Sequence, residues 1–434
     1  MNKELSRSER NTLFKDRKKI NCSYQRVREF THELCKPLMT EDYVIQSMPD
    51  TSPTKWHLAH TTWFFETFVL AKAINNYEPL NKDYAYLFNS YYVQAGDRFY
   101  RPHRGLLTRP TVAEIFKYRE FVDQKMIEFI QTAGEETFEE FASVIEIGIN
   151  HEQQHQELML TDIKHVFSMN PLHPVYSEVS LTHANDFPQV RWISFKEGVY
   201  EIGYEEIGFS YDNETPRHKT FIQPFELGNR LVTNREYLEF IGDGGYSKPE
   251  LWLSDGFSIV EREKWNAPLY WEKQSDGWWN FKLSGFHKLE LNEPVCHVSH
   301  FEADAFARWA GCRLPTEFEW EVASSKVPLE GNFVEDKNYH PAALRANENT
   351  SKRLNQMFGD VWEWTQSAYL PYPRYKTLPG ALGEYNGKFM SGQIVLRGGS
   401  CATSVTHIRK TYRNFFYPQS RWQFMGIRLA RDIM

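Results

Sequence analysis

The sequence lacks several features that would place it in a particular class of protein. It has only five cysteines, none in C-x-x-C spacing, which argues against a disulfide framework or a zinc ribbon. It has 50 Lys and Arg and 57 Asp and Glu, which gives a net charge of -7. This charge argues against a basic surface for binding nucleic acid. No apolar run approaches the roughly 18 residues of a membrane span, and the polar opening MNKELSRSERNTLFKDRKKIN contains no secretory signal. These absences predict a cytoplasmic protein with reduced thiols that binds neither nucleic acid nor membranes.

The length and the residue pattern predict two domains joined by a linker. A chain of 434 residues is too long for one ordinary core. Up to residue 170, apolar residues recur at three-and-four spacing in four segments, which is typical of a helical bundle. These segments are 21–38, 52–74, 111–131 and 139–167, with Ser52 and Thr111 as predicted N-caps. Residues 171–190 have no helical period and predict a linker, and 191–434 predict a loop-rich second domain whose clearest helices are NREYLEFIGDG and SHFEADAFARWAG.

Histidines on two of the predicted helices indicate a metal site. His151 and His155 are four residues apart in GINHEQQHQELMLTDIKHVF, so they share one helix face, and that face continues the apolar stripe. On the second helix His60 lies on the stripe with a tryptophan on either side, whereas His57 lies on an adjoining stripe. Two buried neutral histidines satisfied by neighbours are the alternative. Three neutral imidazoles leave open positions typical of a catalytic metal site, and the ligand type alone does not choose among Fe(II), Zn(II), Ni(II) and Cu.

Several longer motifs resemble one enzyme family. SPTKWHLAHTTWFFE and HEQQHQELM resemble the metal-binding helices of the DinB-like bundle in ergothioneine-forming sulfoxide synthases, which are non-haem iron enzymes. RLPTEFEWEVA, NQMFGDVWEWTQS, VLRGGSC and RWQFMGIRLARD resemble the formylglycine-generating-enzyme type of domain, a C-type-lectin-like fold. The resemblance covers nearly the whole chain in the family's order. It implies an α+β fold, with a DinB-like four-helix bundle over 1–170 followed by a C-type-lectin-like domain over 191–434.

The resemblance also implies a reaction. Fe(2+) would be bound by His60, His151 and His155, with His57 as a neighbour. The enzyme would be a hercynine oxygenase that uses O2 to join the sulfur of cysteine, or of γ-glutamylcysteine, to imidazole C2 of hercynine (Nα-trimethylhistidine). Its partners would then be these small molecules. The paired-tyrosine loop described below resembles the cysteine-using subgroup, but the sequence leaves the donor open.

The same resemblance implies which residues bind hercynine. Gln154 lies three residues after His151 and matches the residue that contacts the substrate imidazole, although a glutamine on a helix surface is an equal alternative. In RNFFYPQSRWQ, Asn414 resembles a residue that holds the hercynine side, and Arg421 is a candidate for a carboxylate. Phe415 and Phe416 offer aromatic faces to the trimethylammonium group by cation–π contact, or else belong to the core.

The segment FNSYYVQAGDRFYRPHRGLLTRPT, between the second and third helices, is long enough to be functional. Oxygen chemistry needs a proton source, and a tyrosine hydroxyl can act as a general acid. Tyr91 and Tyr92 resemble the catalytic tyrosines of one subgroup, with interface packing as the alternative for either. Arg101 and Arg104 are three apart and can clamp a carboxylate, or form surface ion pairs.

Two other functions remain open at this level. A selenoneine-type synthase has the same architecture and joins a selenium donor to hercynine. A metal-stabilised bundle fused to a non-catalytic ligand-binding module is the second alternative. A formylglycine-generating enzyme is disfavoured, because that activity needs two copper-binding cysteines after Gly-Gly-Ser and Cys401 stands there alone. The sequence does not fix the oligomeric state.

Overall fold

A computed structural model describes residues 16–178, 188–205, 208–345, 352–377 and 380–433. Part of the predicted linker, 179–187, lies outside these ranges. Contacts divide the chain into two compact units. The first unit contains the described residues up to Met169 together with those of 205–211 and 377–385, and the second contains the remainder. Two short segments from the second half of the sequence therefore belong to the first unit.

The first unit is helical, and all four predicted helical segments are confirmed. Its helices are α1 (Arg17–Cys35), α2 (Thr54–Phe65), α3 (Ala71–Ala73), α4 (Tyr84–Leu87), α5 (Val112–Thr132) and α6 (Glu135–Ser168). A π-helical turn, Glu66–Leu70, connects α2 to α3. The four long helices α1, α2, α5 and α6 pack on one another as a bundle. Within the described ranges, no helix has both the length and the apolar character that crossing a membrane requires.

The N-terminus of α5 is capped as predicted, whereas that of α2 differs. The Thr111 side chain accepts a hydrogen bond from Glu114 N at 3.2 Å, and the Glu114 carboxylate accepts one from Thr111 N at 2.7 Å, which forms a capping box. The predicted N-cap at Ser52 is wrong, because α2 begins at Thr54 and Pro53 precedes it. The Ser52 N–H instead donates to Asp162 Oδ2 on α6 at 2.8 Å, so this segment is tied to the neighbouring helix.

A glycine on α6 allows α2 to approach closely. Gly148 is buried, and a β-carbon there would collide with the rings of Phe65 and Phe64. Because Gly148 and His151 share one face of α6, the close approach brings His151 towards the face of α2 that carries His60. The stripe predicted from the sequence therefore forms the interface between these two helices.

A buried cluster of charged side chains holds another side of α6 against α1 and α5. Glu152 is 1% exposed, accepts hydrogen bonds from Thr31 Oγ1 at 2.6 Å and Arg28 Nη1 at 2.8 Å, and also pairs with Arg119. Burial raises the pKa of Glu152, but Arg119 and Arg28 outweigh it and lower the pKa to about 2. Adjacent helical residues point roughly 100° apart, so this cluster fixes the rotation of α6 that directs His151 towards α2.

Removing the negative charge of this cluster is expected to destabilise the bundle. Glu152→Gln keeps the shape but leaves the buried Arg119 without its carboxylate and Arg28 with Asp123 alone, which should lower the free energy of unfolding by about 3–5 kcal/mol. Urea unfolding at pH 7 measures the loss. Because the folded pKa is depressed, the contribution of Glu152 is complete above an unfolded value of about 4.3 and disappears as the pH falls towards 2. The free energies of unfolding of the parent and the variant should therefore become equal at acidic pH.

Glu146→Gln on the same helix is the matched control. Burial raises the pKa of Glu146 to about 7, so its charged form is disfavoured in the folded protein. Its neutralisation should leave stability unchanged or raise it at pH 8. Equal destabilisation by the two variants would show that any change on this helix is harmful and that the charge of Glu152 has no special role.

The second unit combines short helices with several small sheets. Its helices are α7 (Asn234–Gly242), α8 (Ser254–Glu263), α9 (His300–Trp309) and α10 (Glu317–Ser324). The predicted helices correspond to α7 and α9, whereas α8 and α10 were not predicted. Its strands are β1 (Trp192–Phe195), β2 (Gly198–Ile202), β3 (His218–Ile222), β4 (Phe225–Gly228), β5 (Trp271–Gln274), β6 (Gly277–Lys282), β7 (Gly285–Lys288), β8 (Gly331–Asn332), β9 (Phe358–Gly359), β10 (Trp362–Ala368), β11 (Ile394–Arg397), β12 (Asn414–Phe416), β13 (Met425–Gly426) and β14 (Ala430–Asp432).

Two of the sheets bring distant parts of the second unit together. The four-stranded sheet has the order β12-β11-β10-β13, and a three-stranded sheet has the order β1-β4-β14. Strand β14, near the end of the chain, pairs antiparallel with β4, opposing Ala430 to Leu227. The first part of β10 is covered on both faces, since Trp362 and Trp364 are 1% and 0% exposed on one face and Glu363 is 0% exposed on the other. With the bundle, these sheets confirm the predicted α+β fold.

Candidate metal centre and its surroundings

Three histidines from two helices of the first unit meet in its interior. His60 lies on α2, and His151 and His155 lie on α6. One ring nitrogen of each lies within 4.8 Å of the others, and all three side chains are buried. In the described part of the chain, this is the one group of three or more histidine, cysteine or carboxylate side chains arranged closely enough to hold a metal ion. The three histidines predicted as ligands from the stripe pattern therefore lie together in the structure.

The hydrogen bonds of these rings leave nitrogens for a ligand. His60 Nδ1 donates to the Phe88 carbonyl at 2.6 Å, so its Nε2 carries a lone pair, and that atom is buried without a hydrogen-bond partner. Both ring nitrogens of His151 are likewise buried without a partner. Buried polar atoms are normally satisfied because leaving them unpaired is costly. A bound metal ion would satisfy His60 Nε2 and one of the two His151 nitrogens, so the triad fits a metal centre.

Aromatic rings fix the orientation of His60. Its imidazole lies between Trp56 and Trp63, with ring centroids at 4.6 and 5.5 Å and interplanar angles of 14° and 16°. This sandwich follows from the sequence, because positions 56, 60 and 63 share one side of a helix. The hydrogen bond to Phe88 and the two stacked rings together leave the imidazole little freedom to turn.

Burial keeps the triad neutral. It lowers the pKa of His151 to about 3, and it lowers the pKa of His60 and His155 well below the usual value, with neighbouring His151 lowering both further. The imidazoles are therefore unprotonated at neutral pH. A neutral imidazole with a free lone pair is the form that binds metal ions.

His57 is close to the triad but is engaged on both sides. Its Nδ1 lies 2.8 Å from His155 Nδ1, and its Nε2 lies 3.1 Å from Asp162 Oδ2. Because both of its ring nitrogens contact other side chains, His57 has no lone pair available for a metal ion. His57 therefore lies beside the predicted ligands.

Tyr91 and Tyr92 lie in the loop before the 3-10 turn Val93–Ala95 and stack on each other, with ring centroids 4.6 Å apart and hydroxyls 3.5 Å apart. Tyr92 is fully buried against Trp63 and Phe68, at centroid distances of 5.6 and 5.1 Å. Burial raises the pKa of Tyr92 well above its usual value, and Tyr91 raises it further. Tyr92 therefore has extensive packing contacts, whereas Tyr91 is half-buried.

A tyrosine that was not predicted also reaches this region. Tyr385 lies 5.6 Å from His151 between ring centroids, and its hydroxyl donates to Gln154 Oε1. The adjacent Glu384 carboxylate accepts hydrogen bonds from the backbone N–H groups of Val93 and Gln94 at 3.0 and 2.8 Å. The segment containing Tyr385 is thereby tied to the tyrosine loop. Its sequence, GEYNG, has no periodicity that would have indicated this position.

The three predicted arginines have different surroundings. Arg104 is 3% exposed, donates to Ser52 Oγ at 2.9 Å and Ser90 Oγ at 3.2 Å, and stacks over Trp56 at 3.3 Å. Its Nε has no hydrogen-bond partner, and the bonds of its two terminal nitrogens go to these serine hydroxyls and not to a described carboxylate. Burial lowers the pKa of Arg104, and nearby Arg101 lowers it further. Arg101 is exposed and donates to the Asp50 carbonyl, while Arg421 pairs with Glu302 at 3.2 Å.

The remaining predicted residues lie in the second unit. Asn414, Phe415 and Phe416 form strand β12, which pairs with β11. Phe415 stacks on Tyr369 at a centroid distance of 4.0 Å, and Asn414 Oδ1 accepts from the Phe415 N–H at 2.9 Å. Phe416 meets the edge of Trp422 at 5.8 Å. All three strand residues are half-buried, so they have both packing contacts and exposed surface.

Two protein families match the chain, and their matches follow one another in the same order as the two sets of motifs. Residues 23–159 match the DinB superfamily. Residues 176–353 and 347–433 match the sulfatase-modifying factor enzyme 1-like domain. These two matches together include the triad and most of the second unit.

Individual relatives agree with this division. Hercynine oxygenase of Mycobacterium tuberculosis is 34% identical over 309 residues, which cover 67% of this chain and 72% of the relative. Hercynine oxygenase of Mycolicibacterium smegmatis is 33% identical over 66% of this chain and 71% of its own length. The formylglycine-generating enzyme of Streptomyces coelicolor is 28% identical over 52% of this chain and 83% of its own length. With both regions present in order and the histidine triad assembled, the chain belongs to the hercynine oxygenase family.

Proposed function

We propose that the protein is an Fe(II)- and O2-dependent sulfoxide synthase of ergothioneine biosynthesis. It joins the sulfur of cysteine, or of γ-glutamylcysteine, to imidazole C2 of hercynine. The balanced reaction takes one thiol, one hercynine and one O2 to the sulfoxide and one water. The observation that carries the proposal is the buried neutral triad of His60, His151 and His155 with its orphaned nitrogens.

The triad is proposed to hold the iron, which supplies the redox chemistry of an O2-dependent C–S bond formation. Three imidazole ligands leave part of the coordination sphere open for substrates. Iron is preferred to zinc because the reaction is an oxidation, and ligand type alone does not make that choice. Around the triad, the protein must orient two substrates and deliver a proton.

Gln154 is proposed to contact the hercynine imidazole. Its Oε1 accepts from the Tyr385 hydroxyl, which holds the amide in one orientation. A fixed amide presents a defined hydrogen-bonding group to a substrate ring, and such preorganisation reduces the entropy lost on binding. Asn414 stays a candidate for holding hercynine, and Phe415 and Phe416 stay candidates for contact with its trimethylammonium group.

Arg104 is proposed as the main carboxylate-binding residue for the thiol substrate. It is a buried cation whose described hydrogen bonds go to serine hydroxyls and not to a carboxylate, and it stacks on Trp56, which itself stacks on His60. A substrate carboxylate would supply the missing charge and the partner for Nε. Arg421 is already paired with Glu302, so it is a weaker candidate, and Arg101 remains an exposed second contact.

Replacement of Arg104 should affect one substrate selectively. Arg104→Met keeps the length but removes the charge, so the KM for cysteine should rise about 100-fold, within the 2–5 kcal/mol expected for a buried charge pair. The KM for hercynine should change less than about threefold. Steady-state kinetics with each substrate varied in turn measures both values.

Arg101→Met, on the same 3-10 turn, is the comparison and should have a smaller effect because its guanidinium is exposed. If Arg101→Met raised the KM for cysteine more than Arg104→Met, Arg101 would be the main carboxylate-binding residue. Equal effects of Arg104→Met on both substrates would indicate a structural arginine.

Oxygen consumption tests the function as a whole. With the iron-loaded protein, O2 uptake should require both hercynine and a thiol, and mass spectrometry should find a sulfoxide containing one oxygen atom from O2. Parallel reactions with cysteine and γ-glutamylcysteine identify the donor. Uptake only with a selenium donor would favour the selenoneine-type alternative. A protein that binds iron and both substrates but consumes no O2 would be a non-catalytic binding module.

A further inference from the structure

Next to the triad, a carboxylate and a fourth histidine form a chain of contacts that ends on one of the ligands. We propose that Asp162 and His57 are positioning residues that select the tautomer of His155 and hold its ring as a metal ligand. This inference rests on the metal centre of the proposed function. It assigns to the pair a role in assembling that centre and no direct contact with the metal or the substrates.

The contacts connect two helices in the bundle interior. Asp162 and His155 lie on α6, seven residues apart and therefore on the same face. His57 lies on α2 and bridges them, at 2.8 Å from His155 Nδ1 and 3.1 Å from Asp162 Oδ2. The exposed fractions of His57, His155 and Asp162 are 3%, 8% and 4%, so water does not compete strongly for these contacts.

The hydrogen-bond directions follow from the Asp162 end. Oδ2 of Asp162 already accepts from the Ser52 N–H at 2.8 Å, so it acts as an acceptor towards His57 as well. The proton of neutral His57 is then on Nε2, and its Nδ1 carries the lone pair. Two ring nitrogens at 2.8 Å need one donor and one acceptor, so His155 Nδ1 is the donor. The lone pair of His155 is left on Nε2, where a metal can bind.

Without Asp162, the opposite arrangement becomes available. His57 could carry its proton on Nδ1 and donate it to His155, which would move the proton of His155 to Nε2. A protonated ring nitrogen cannot be a ligand. By fixing the tautomer of His57, Asp162 therefore also determines whether His155, the next residue of the hydrogen-bonded chain, is a competent ligand.

The other two histidines are not oriented by side-chain hydrogen bonds. A backbone carbonyl sets the tautomer of His60, and the nitrogens of His151 have no partner among the described residues. The chain through His57 is thus the part of the centre that a side-chain substitution can alter without touching a ligand. Residues that orient a ligand typically contribute 10- to 100-fold to metal affinity.

Cobalt(II) is a suitable probe because its visible absorption reports the ligand geometry. The full-length metal-free protein is titrated with Co(II), and the affinity and the absorption bands are compared among variants. His57→Phe keeps a ring but removes both hydrogen bonds, so the affinity should fall about 10- to 100-fold and the bands should shift. His57→Gln should retain affinity within about threefold of the parent, because an amide can accept from His155 and donate to Asp162. Asp162→Asn should lie between the two.

His165→Phe is the matched control for loss of a buried histidine near the end of α6. His165 Nδ1 bonds to Ser47 Oγ at 2.7 Å, and the substitution should leave the affinity and the spectrum unchanged. Equal weakening by His165→Phe and His57→Phe would overturn the proposal in favour of general packing, as would unaltered Co(II) binding in His57→Phe. A parent protein that binds no metal would instead refute the metal centre of the proposed function. Thermal unfolding of each metal-free variant shows that it is folded.

Discussion

His60→Ala, His151→Ala and His155→Ala should each bind iron more than about 100-fold more weakly than the parent, beyond the 10- to 100-fold typical of residues that only orient ligands. Each removes one of the three imidazoles whose nitrogens lie within 4.8 Å of one another. Sulfoxide formation should be lost with the metal. Iron content after gel filtration, together with the product yield, measures both losses.

Thermal stability provides a readout that does not depend on activity. A metal that binds only the folded state stabilises it by about 2.7 kcal/mol at a free concentration of 100 times its Kd. The parent should therefore unfold at a higher temperature with added metal, and the three alanine variants should lose that increase. Their metal-free forms should still unfold cooperatively, because the bundle keeps the Glu152 cluster and most of its core.

His57→Ala separates the ligands from their neighbour. It should weaken iron binding less than His60→Ala, because His57 acts through His155 and offers no free nitrogen. The ligand assignment would be wrong if His60→Ala kept its full iron content and activity while His57→Ala lost both. His60→Gln provides a second variant at that position, since the cavity left by alanine between Trp56 and Trp63 could itself destabilise the protein.

The bundle and the triad could be predicted because their signals are local in sequence. Helical periodicity identified the four long helices, and four-residue spacing placed His151 and His155 on one face. The choice of His60 over His57 as a predicted ligand came from the stripe containing Trp56 and Trp63. In the structure those same tryptophans enclose the His60 ring.

Features formed by non-local contacts could not be predicted in the same way. Tyr385 reaches Gln154 from 231 positions away along the chain, through a segment without periodicity. The difference between Arg101 and Arg104 depends on which side of a 3-10 turn faces Trp56, and sequence spacing does not reveal this. The bond between His57 and Asp162 joins residues 105 positions apart on two helices, so only their packing brings it about.

Tyr91→Phe is expected to change what the enzyme makes as well as how fast it works. Oxidation beside a bound thiol leads either to the C–S bond or to simple oxidation of the thiol, and timely proton delivery should favour the first outcome. Tyr91 is the half-buried member of the tyrosine pair. Removing its hydroxyl should slow sulfoxide formation about 10²- to 10⁴-fold and raise the fraction of oxidised cysteine, while the ring remains to preserve packing.

Two other tyrosines provide matched comparisons with different expected results. Tyr92→Phe should have a smaller effect, because Tyr92 is enclosed by Trp63 and Phe68 and its contribution is mainly packing. Tyr385→Phe removes the hydrogen bond to Gln154. It should raise the KM for hercynine by up to about tenfold, the value of one hydrogen bond, and leave the product ratio unchanged.

Quantifying sulfoxide and oxidised cysteine against O2 consumed distinguishes these roles. A shift of the product ratio in Tyr385→Phe, with none in Tyr91→Phe, would transfer the acid role to Tyr385. Its hydroxyl already donates to Gln154, so that outcome would require the bond to break during turnover. If the Tyr91→Phe/Tyr92→Phe double variant formed sulfoxide at the parent rate and ratio, the proton would have to come from outside this loop. The paired tyrosines would then serve to close the bundle around the triad, because the stacking of Tyr92 on Trp63 and Phe68 does not need a hydroxyl.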